Sequence, residues 1–478
     1  MRASAGTPPD DATQVVVIVA DGVRPDTLAG GIESGNLPAL AALRDEGGLH
    51  SVTSTFPSVT GPAYAPFLLG RYPGDVGLPG LRWFDRSRQI VRKPGHSRSY
   101  VGAEMGLIDS DLDPDSPTVF ELTDSSVGAL SVIRRGLPAK NRVGSGAKFI
   151  ARTGLTHFRG NVRGWLDIDE MISKQVAERV RSVRPRFTFA ALTGIDKTSH
   201  SEGHDSALVG EALSIVDRTV ARIRADAERD GRWESTHLWV TSDHGHSPVH
   251  SHEDLARLVE SPKRKVLSHP WALCSKADVA VMVSGNAMAH IYVELERKAK
   301  PGWGALAGRW HDLLLELEGR DSVDLLLLPR ANGECEVRAR QRGSAMVSRN
   351  GDRYSYSHRS GNPLGVAEFT DVSADEAHAL TVASDYPDGV VQIAHLAGCE
   401  RSGDIILSAS RDWDFRARYE PIPHVSSHGA LHREHMMVPL LVNRRVTGKP
   451  LRTIDTMPTA LAALGIAIPP RVSGKIFL

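Results

Sequence analysis

Hydrophobic positions in this chain gather into short, uninterrupted runs, and several of the runs stop at an acidic residue. "QVVVIVADG" (14–22), "FTFAALTGID" (187–196) and "HLWVTSDHG" (237–245) share this design. Continuous apolar runs rich in β-branched and aromatic residues predict strands buried on both faces, as in parallel sheets. Elsewhere the apolar period lengthens to that of a helix. "LPALAALRDEGG" (37–48) and "SALVGEALSIVDRTVARIRADAERDG" (206–231) are helical patterns that end at glycine. Strands alternating with helices predict an α/β sandwich around a mostly parallel central sheet flanked by helices. Folds of that kind bind ligands beyond the carboxyl ends of their strands, where Asp21, Asp196 and Asp243 fall.

From about residue 265 to 404 the pattern changes. "DVAVMV", "AHIYVEL", "VDLLLL" and "CEVRARQ" read as strands, "WGALAGRWHDLLLELEG" as a helix and "RNGDRYSYSHRSGN" as a polar hairpin. This predicts an α+β subdomain inserted into the core as a cap. "HMMVPLLVN" then resumes the first pattern, and "IDTMPTALAALG" closes it as a helix. The expected division is a flexible tail over 1–13, a catalytic core over 14–264 and 405–478, and the insert over 265–404. Tyr354, Tyr356 and Trp413 are candidates for packing a leaving group, with core packing the default for each.

Length and composition narrow the functional classes. The 478 residues can enclose a large core, and the 57 basic residues balance the 57 acidic ones. No global field therefore points to a nucleic-acid polymer or an anionic membrane. An anionic substrate must be held by local features. No apolar run approaches the length of a membrane span, and the polar start "MRASAGTPPDDATQ" lacks a signal-peptide core. Cys274, Cys335 and Cys399 are widely spaced and odd in number, which argues for a reducing, cytoplasmic setting.

The strand ends carry the candidate chemistry. Asp21 stands alone, Asp196 lies near His200 and His204, Asp243 adjoins His244, and His428 sits in "SSHG". Each is a weak signal alone, since Asp at a strand end is commonly a turn or cap residue. Four such elements at strand edges weigh more. Carboxylate and imidazole ligands suit zinc or another first-row divalent ion, and three Asp with three His would make two sites able to clamp a phosphoryl group. Thr60 precedes Gly-Pro and an apolar, potentially helical stretch. It can be read as an N-cap, or as a hydroxyl beside a phosphate-binding helix N-terminus. Its alcohol is a poor nucleophile until a metal or base takes its proton.

The ordered set "VADGVRPD", "PSVTGPAY…GRYPGDVG", "DKTSH", "SDHG" and "SSHG" resembles the alkaline phosphatase superfamily, in its type I phosphodiesterase/nucleotide pyrophosphatase branch. The resemblance covers about residues 14–260 and 400–478 and leaves the insert unexplained. It implies an alkaline-phosphatase-like fold and a phosphohydrolase in which Thr60 becomes phosphorylated. It further implies two divalent ions, zinc foremost with manganese or iron as alternatives. One ion would be held by Asp21, Asp243 and His244, the other by Asp196, His200 and His428. In that pattern His204 is left at the rim, and His246, His250, His252, His432 and His435 receive no role. The implied substrate is a small phosphodiester, including nucleotide pyrophosphates.

Two departures bear on the substrate. Diesterase relatives carry Asn three residues after the nucleophile, where this chain has Ala63, so Tyr64 becomes a candidate substitute donor. Monoesterase relatives often have a Lys-x-Arg pair, and Lys140-Asn141-Arg142 has that spelling, which keeps a phosphomonoesterase as the alternative. A non-catalytic member of the superfamily would be expected to lack ligands or nucleophile, and here all seven positions are filled.

Overall fold

The computed structural model describes residues 13–88, 97–268, 277–330, 332–415 and 424–478. Cys274 and all of the expected tail except residue 13 lie outside the described residues. A central sheet is built from β1 (Gln14–Ala20), β2 (Gly48–Thr53), β3 (Ser126–Ala129), β4 (Arg142–Val143), β5 (Phe187–Leu192), β6 (Thr236–Thr241) and β7 (Met437–Val442), in the order β2-β7-β6-β1-β5-β3-β4. Strands β6, β1, β5, β3 and β4 run parallel, and β7 is antiparallel to both its neighbours. The sheet is thus mostly parallel, as the buried runs predict. "HMMVPLLVN" does return to this sheet, but against the direction of β6.

Strand β1 is buried along its whole length, and its side chains alternate between two cores. Val16, Ile18 and Ala20 face helices α1 (Pro25–Glu33), α2 (Pro38–Glu46), α3 (Val162–Val183) and, beyond the shorter α4 (Gly194–Glu202), α5 (Ala207–Arg229). Val15, Val17 and Val19 face the opposite core, which contains Tyr64, Phe67, Phe189 and Trp239. Burial of each such aliphatic side chain contributes roughly 1.5–3 kcal/mol. The strand therefore has no freedom to slide, because a one-residue slip would exchange its two faces. Asp21 at its end inherits that rigidity.

A second sheet of nine strands runs from Val266 to Ser373 and includes Ile405–Ala409. The latter strand pairs with Met288–Ile291 and Val323–Leu327, so the chain leaves this sheet later than the pattern break at 404 suggests. The expected polar hairpin is present as Gly343–Asn350 against Arg353–His358, whereas the expected helix after Trp303 is two short ones, Trp303–Leu306 and His311–Glu318. Tyr354 and Tyr356 are buried in this sheet's core. The two sheets share cores: Ala280, Met282 and Tyr292 pack with β1 side chains, and Phe56, Tyr72 and Ile454 pack with the second sheet.

The contact that brings the second sheet onto the strand ends is a tight turn at Gly285–Ala287. Asn286 forms a bridge with His428, and the Ala287 N–H donates to the His428 carbonyl at 3.1 Å. Gly285 adopts φ +65°, and a Cβ there would lie 1.9 Å from the Val59 side chain. Gly285→Ala should therefore cost about 2–4 kcal/mol, combining left-handed strain with overpacking. Gly351, at φ +60° in open space, should cost only the backbone part, about 1–2 kcal/mol. Thermal unfolding of the two variants checks this, and equal losses would show that the Val59 contact is not tight.

Candidate metal centre and nucleophile

Each functional side chain sits at the end of a constrained element. Asp21 follows β1, and the turn after it needs Gly22, which has φ +83° and whose Cβ would come within 2.9 Å of the His246 ring. Asp196 and His200 lie one helical turn apart on α4, so they share a face. That helix is anchored by Asp169 of α3, which accepts the Thr193 and Gly194 N–H groups at 3.1 and 2.6 Å. Burial pushes the Asp169 carboxyl up to about 7 in spite of those two donors. Asp243 and His244 follow β6, and the Ser54 hydroxyl donates to the Asp243 carbonyl. Thr60 precedes a 3-10 turn, Pro62–Tyr64, that runs into the short helix Ala65–Leu69.

These elements converge. The Thr60 hydroxyl lies 3.3 and 3.4 Å from the two Asp21 oxygens and 3.3 Å from His244 Nε2. His244 Nε2 is 3.3 Å from Asp21 Oδ1 and 3.6 Å from Asp243 Oδ2. Around Asp196 Oδ1 stand His246 Nε2 at 3.0 Å, His200 Nε2 at 3.1 Å and His428 Nε2 at 3.5 Å. The His244 and His428 rings stack at 3.6 Å, which links the two clusters. Thr60 is half-buried, whereas the aspartates and histidines around it are buried.

The electrostatics call for cations. Both Asp243 carboxylate oxygens are buried without a hydrogen-bond partner among the described residues, and an uncompensated buried charge costs several kcal/mol. Burial, together with the charge of Asp21, pushes the Asp243 carboxyl up to about 8. Burial works against the His244 imidazolium, but Asp243 and Asp21 outweigh it and raise the group to about 9. Burial also opposes ionisation of Asp196, yet Lys197 and His200 hold its carboxyl well below the usual range. His428 is pushed far down by burial and by the neighbouring His244. Two groups, Asp21–Asp243–His244 and Asp196–His244–His246–His428, have ligand atoms close enough to hold an ion. The donor set of carboxylate oxygens and imidazole nitrogens fits zinc-type divalent ions.

The remaining predicted residues fall elsewhere. Tyr64 is fully buried beneath the site, its hydroxyl 3.4 Å from Asp21 Oδ2, so it supports that carboxylate from below. Lys140 is exposed and Arg142 donates to the Leu137 carbonyl. Arg142 belongs to the edge strand β4, three strands from β1, which at the usual spacing is roughly 14 Å away. The Lys-x-Arg spelling is therefore not a site feature. His204 is half-buried near Arg24 and Asp205, outside both clusters. Sequence reasoning passed over His246 and His424. His246 is two residues beyond His244, and His424 stacks on His200 at 4.1 Å. For His246 the signal was its place just past the Asp-His pair at a strand end. For His424 there was none, because its position depends on the fold of the loop before "SSHG".

Residues 15–431 match the family of type I phosphodiesterases/nucleotide pyrophosphatases. The chain belongs to that family. The match extends through the second sheet, which the sequence motifs left unexplained. Phosphonoacetate hydrolase from Sinorhizobium meliloti 1021 has a similar structure, with a TM-score of 0.58, 16% identity, and 95% of this chain and 97% of that chain covered. Human ectonucleotide pyrophosphatase/phosphodiesterase 5 is similarly related, at 0.59 and 15%, with 97% of each chain covered. No curated protein sequence is significantly similar to the chain. Membership of the family makes the chain a phosphoric ester hydrolase.

The buried Asp243–His244 pair, together with Asp21, retains at least one proton at neutral pH while no cation is bound, because burial and the crowded carboxylates disfavour full ionisation. Ion binding at pH 7 should therefore release at least about one proton per chain, and affinity should fall as pH drops from 9 to 6. Calorimetric titration of metal-depleted protein in two buffers of different ionisation enthalpy measures the release. Zero release with pH-independent affinity would contradict this charge arrangement.

Proposed function

We propose that the protein hydrolyses phosphodiester bonds of small molecules, including nucleotide pyrophosphates, through a phosphothreonine at Thr60. The observation that carries this reading is the Thr60 hydroxyl, half-buried and within 3.4 Å of both Asp21 and His244. Asp21, Asp243 and His244 would hold one divalent ion, and Asp196, His200 and His428 the other, with zinc the best match to the donors. When bound, such ions neutralise phosphoryl oxygens and lower the pKa of a coordinated hydroxyl or water.

The protein's own residues do the rest. The Thr60 hydroxyl proton points to Asp21, so the oxygen's lone pairs remain available to phosphorus. The Thr60 Oγ–P bond forms as the P–O bond to the leaving group breaks, and the released alcohol takes a proton. Water then attacks phosphorus, the Oγ–P bond breaks, and Thr60 regains its proton while a monoester departs. Tyr64, beneath Asp21, holds that carboxylate in place.

A diester is favoured over a monoester by charge. Among the described residues, the cationic side chains that reach this region are Lys197, paired with Asp196 at 2.7 Å, and Arg24, paired with Asp26 and bonded to the His246 carbonyl. Arg142, which the monoesterase alternative needs, is committed to Leu137. A second negative charge on the substrate would thus meet no additional cation among the described residues. We also propose that residues 265–404, extended by the strand to Ala409, act as the cap that sets specificity on a core of 14–264 and the C-terminal residues. The Gly285–Ala287 turn on His428 supports this. No helix among the described residues is long and apolar enough to cross a membrane, and Cys335 and Cys399 are buried free thiols. The latter supports a cytoplasmic location.

Hydrolysis of matched aryl phosphate diesters and monoesters tests the reading. The diester kcat/KM should exceed the monoester value by at least about tenfold, equivalent to 1.4 kcal/mol. Thr60→Ala should lower turnover by on the order of 10³-fold or more with metal content unchanged. A monoester preference, or full activity in Thr60→Ala, would overturn it.

A further inference from the structure

We propose that His246 is a fourth protein ligand of the Asp196 centre, closing it into a shell of one carboxylate oxygen and three imidazole nitrogens. This rests on the dinuclear reading above and adds a ligand which that reading does not contain. Three observations carry it.

The first is symmetry. His246, His200 and His428 present Nε2 to the same atom, Asp196 Oδ1, at 3.0, 3.1 and 3.5 Å. Their rings are almost equally spaced, with centroids 4.9, 5.1 and 5.1 Å apart. A tetrahedral ion with ligand bonds of 2.0–2.1 Å places neighbouring ligand atoms roughly 3.3 Å apart. Measured to Asp196 Oδ1, His246 meets that spacing as well as His200 and His428 do, and its ligand atom lies within 4.8 Å of those of Asp196 and His428.

The second is tautomer. The His200 Nδ1–H donates to the Ser426 carbonyl at 2.8 Å, and the His428 Nδ1–H to the Ser58 carbonyl at 2.9 Å. His246 Nδ1 lies 3.2 Å from the Ser426 hydroxyl, and that hydroxyl donates its single proton to the Ser247 carbonyl at 2.9 Å. Toward His246 the hydroxyl is therefore an acceptor, and His246 carries its proton on Nδ1. All three Nε2 atoms are then bare lone pairs facing a carboxylate oxygen. Neutral imidazoles so arranged repel the carboxylate, and either protons on Nε2 or a metal cation among the four atoms relieves it. An orienting bond on the outer nitrogen is also the usual mark of a ligating histidine.

The third is fixed placement. His246 is wholly buried, and its ring lies against Gly22, where any side chain would collide with it. Ser426 is held by pairing with Pro248 in a three-stranded sheet. The ring therefore has little room to rotate away.

The two centres become chemically unequal. The Asp196 centre is nitrogen-rich and closed in the resting protein, which suits zinc and slow exchange. The Asp21–Asp243–His244 centre is oxygen-rich and faces Thr60, so it is the one open to substrate and the first to lose its ion to a chelator.

The test uses cobalt(II) as probe in the full chain. Wild type should bind two cobalt ions. In an Asp243→Asn background, one equivalent of cobalt should give the intense visible spectrum of a four-coordinate ion. Adding His246→Gln offers Asp196 an amide N–H in place of the imidazole lone pair. The expected result is a weakened, shifted spectrum and an affinity loss of more than about a hundredfold, beyond the 10–100-fold of an outer partner. An unchanged spectrum would overturn the proposal. Should the double variant not fold, X-ray absorption on the Asp243→Asn chain counts imidazoles at cobalt. Three support the proposal, and two overturn it. Fewer than two ions bound by wild type would instead strike the dinuclear reading itself.

Discussion

The structure depends on placing three buried carboxylates and four imidazoles within a few ångströms of one another at the edge of an apolar sheet. Without cations this assembly is unfavourable, as Asp243 shows with two buried oxygens that have no hydrogen-bond partner among the described residues. Sequences do not retain such an arrangement for stability, since apolar residues of similar volume would pack better there. The surrounding fold has to hold the ligands in place against their own repulsion. It does so with β1 and β5, buried on both faces, and with helix α4 tied down by Asp169.

The second sheet contributes to the same task. Its Gly285–Ala287 turn is pressed between Val59, one residue before Thr60, and the backbone of His428. Nucleophile and ligand are therefore registered against one common surface. The Ser58 carbonyl orients His428, and the Ser58 hydroxyl donates to Ala430. One residue next to the nucleophile loop thus fixes a ligand on a segment 370 positions away. A second sheet joined to the first through such contacts, and through shared hydrophobic clusters, cannot shift without moving Thr60 and His428.

The strand-end acids were legible in the sequence because a buried strand leaves only its end for polar residues, and the pattern of apolar runs marks that end. Asp21, Asp196 and Asp243 become candidates in this way, whereas the choice of His200 over His204 came from the resemblance to the family pattern. His246 was only partly legible: its place past the Asp-His pair was a signal, but nothing local reveals that Ser426, on a strand that pairs with Ser247 and Pro248, will orient its ring. Arg142 failed for the opposite reason. Its spelling suggested a phosphate grip, but the strand order puts it at the far edge of the sheet. The two sheets were visible as a change of pattern, yet Ile405–Ala409 was assigned to the first, because an isolated apolar run does not state its partners. Local chemistry can be read from a run, whereas pairing requires the whole chain.

Substrate preference also depends on charge already committed within the fold. Lys197 lies on α4 between the ligands Asp196 and His200, and its ammonium pairs with Asp196 while lying over Trp165. Arg24 bonds Asp26 and the His246 carbonyl. Both cations stabilise the ligand cage instead of projecting toward an incoming phosphate. Divalent ions, if held there, would balance the charge of the site's own carboxylates and one phosphoryl oxyanion, and the described residues offer no further positive group. A phosphodiester, with a single negative charge and two substituents for the cap to recognise, is the substrate class that demands least from such a site.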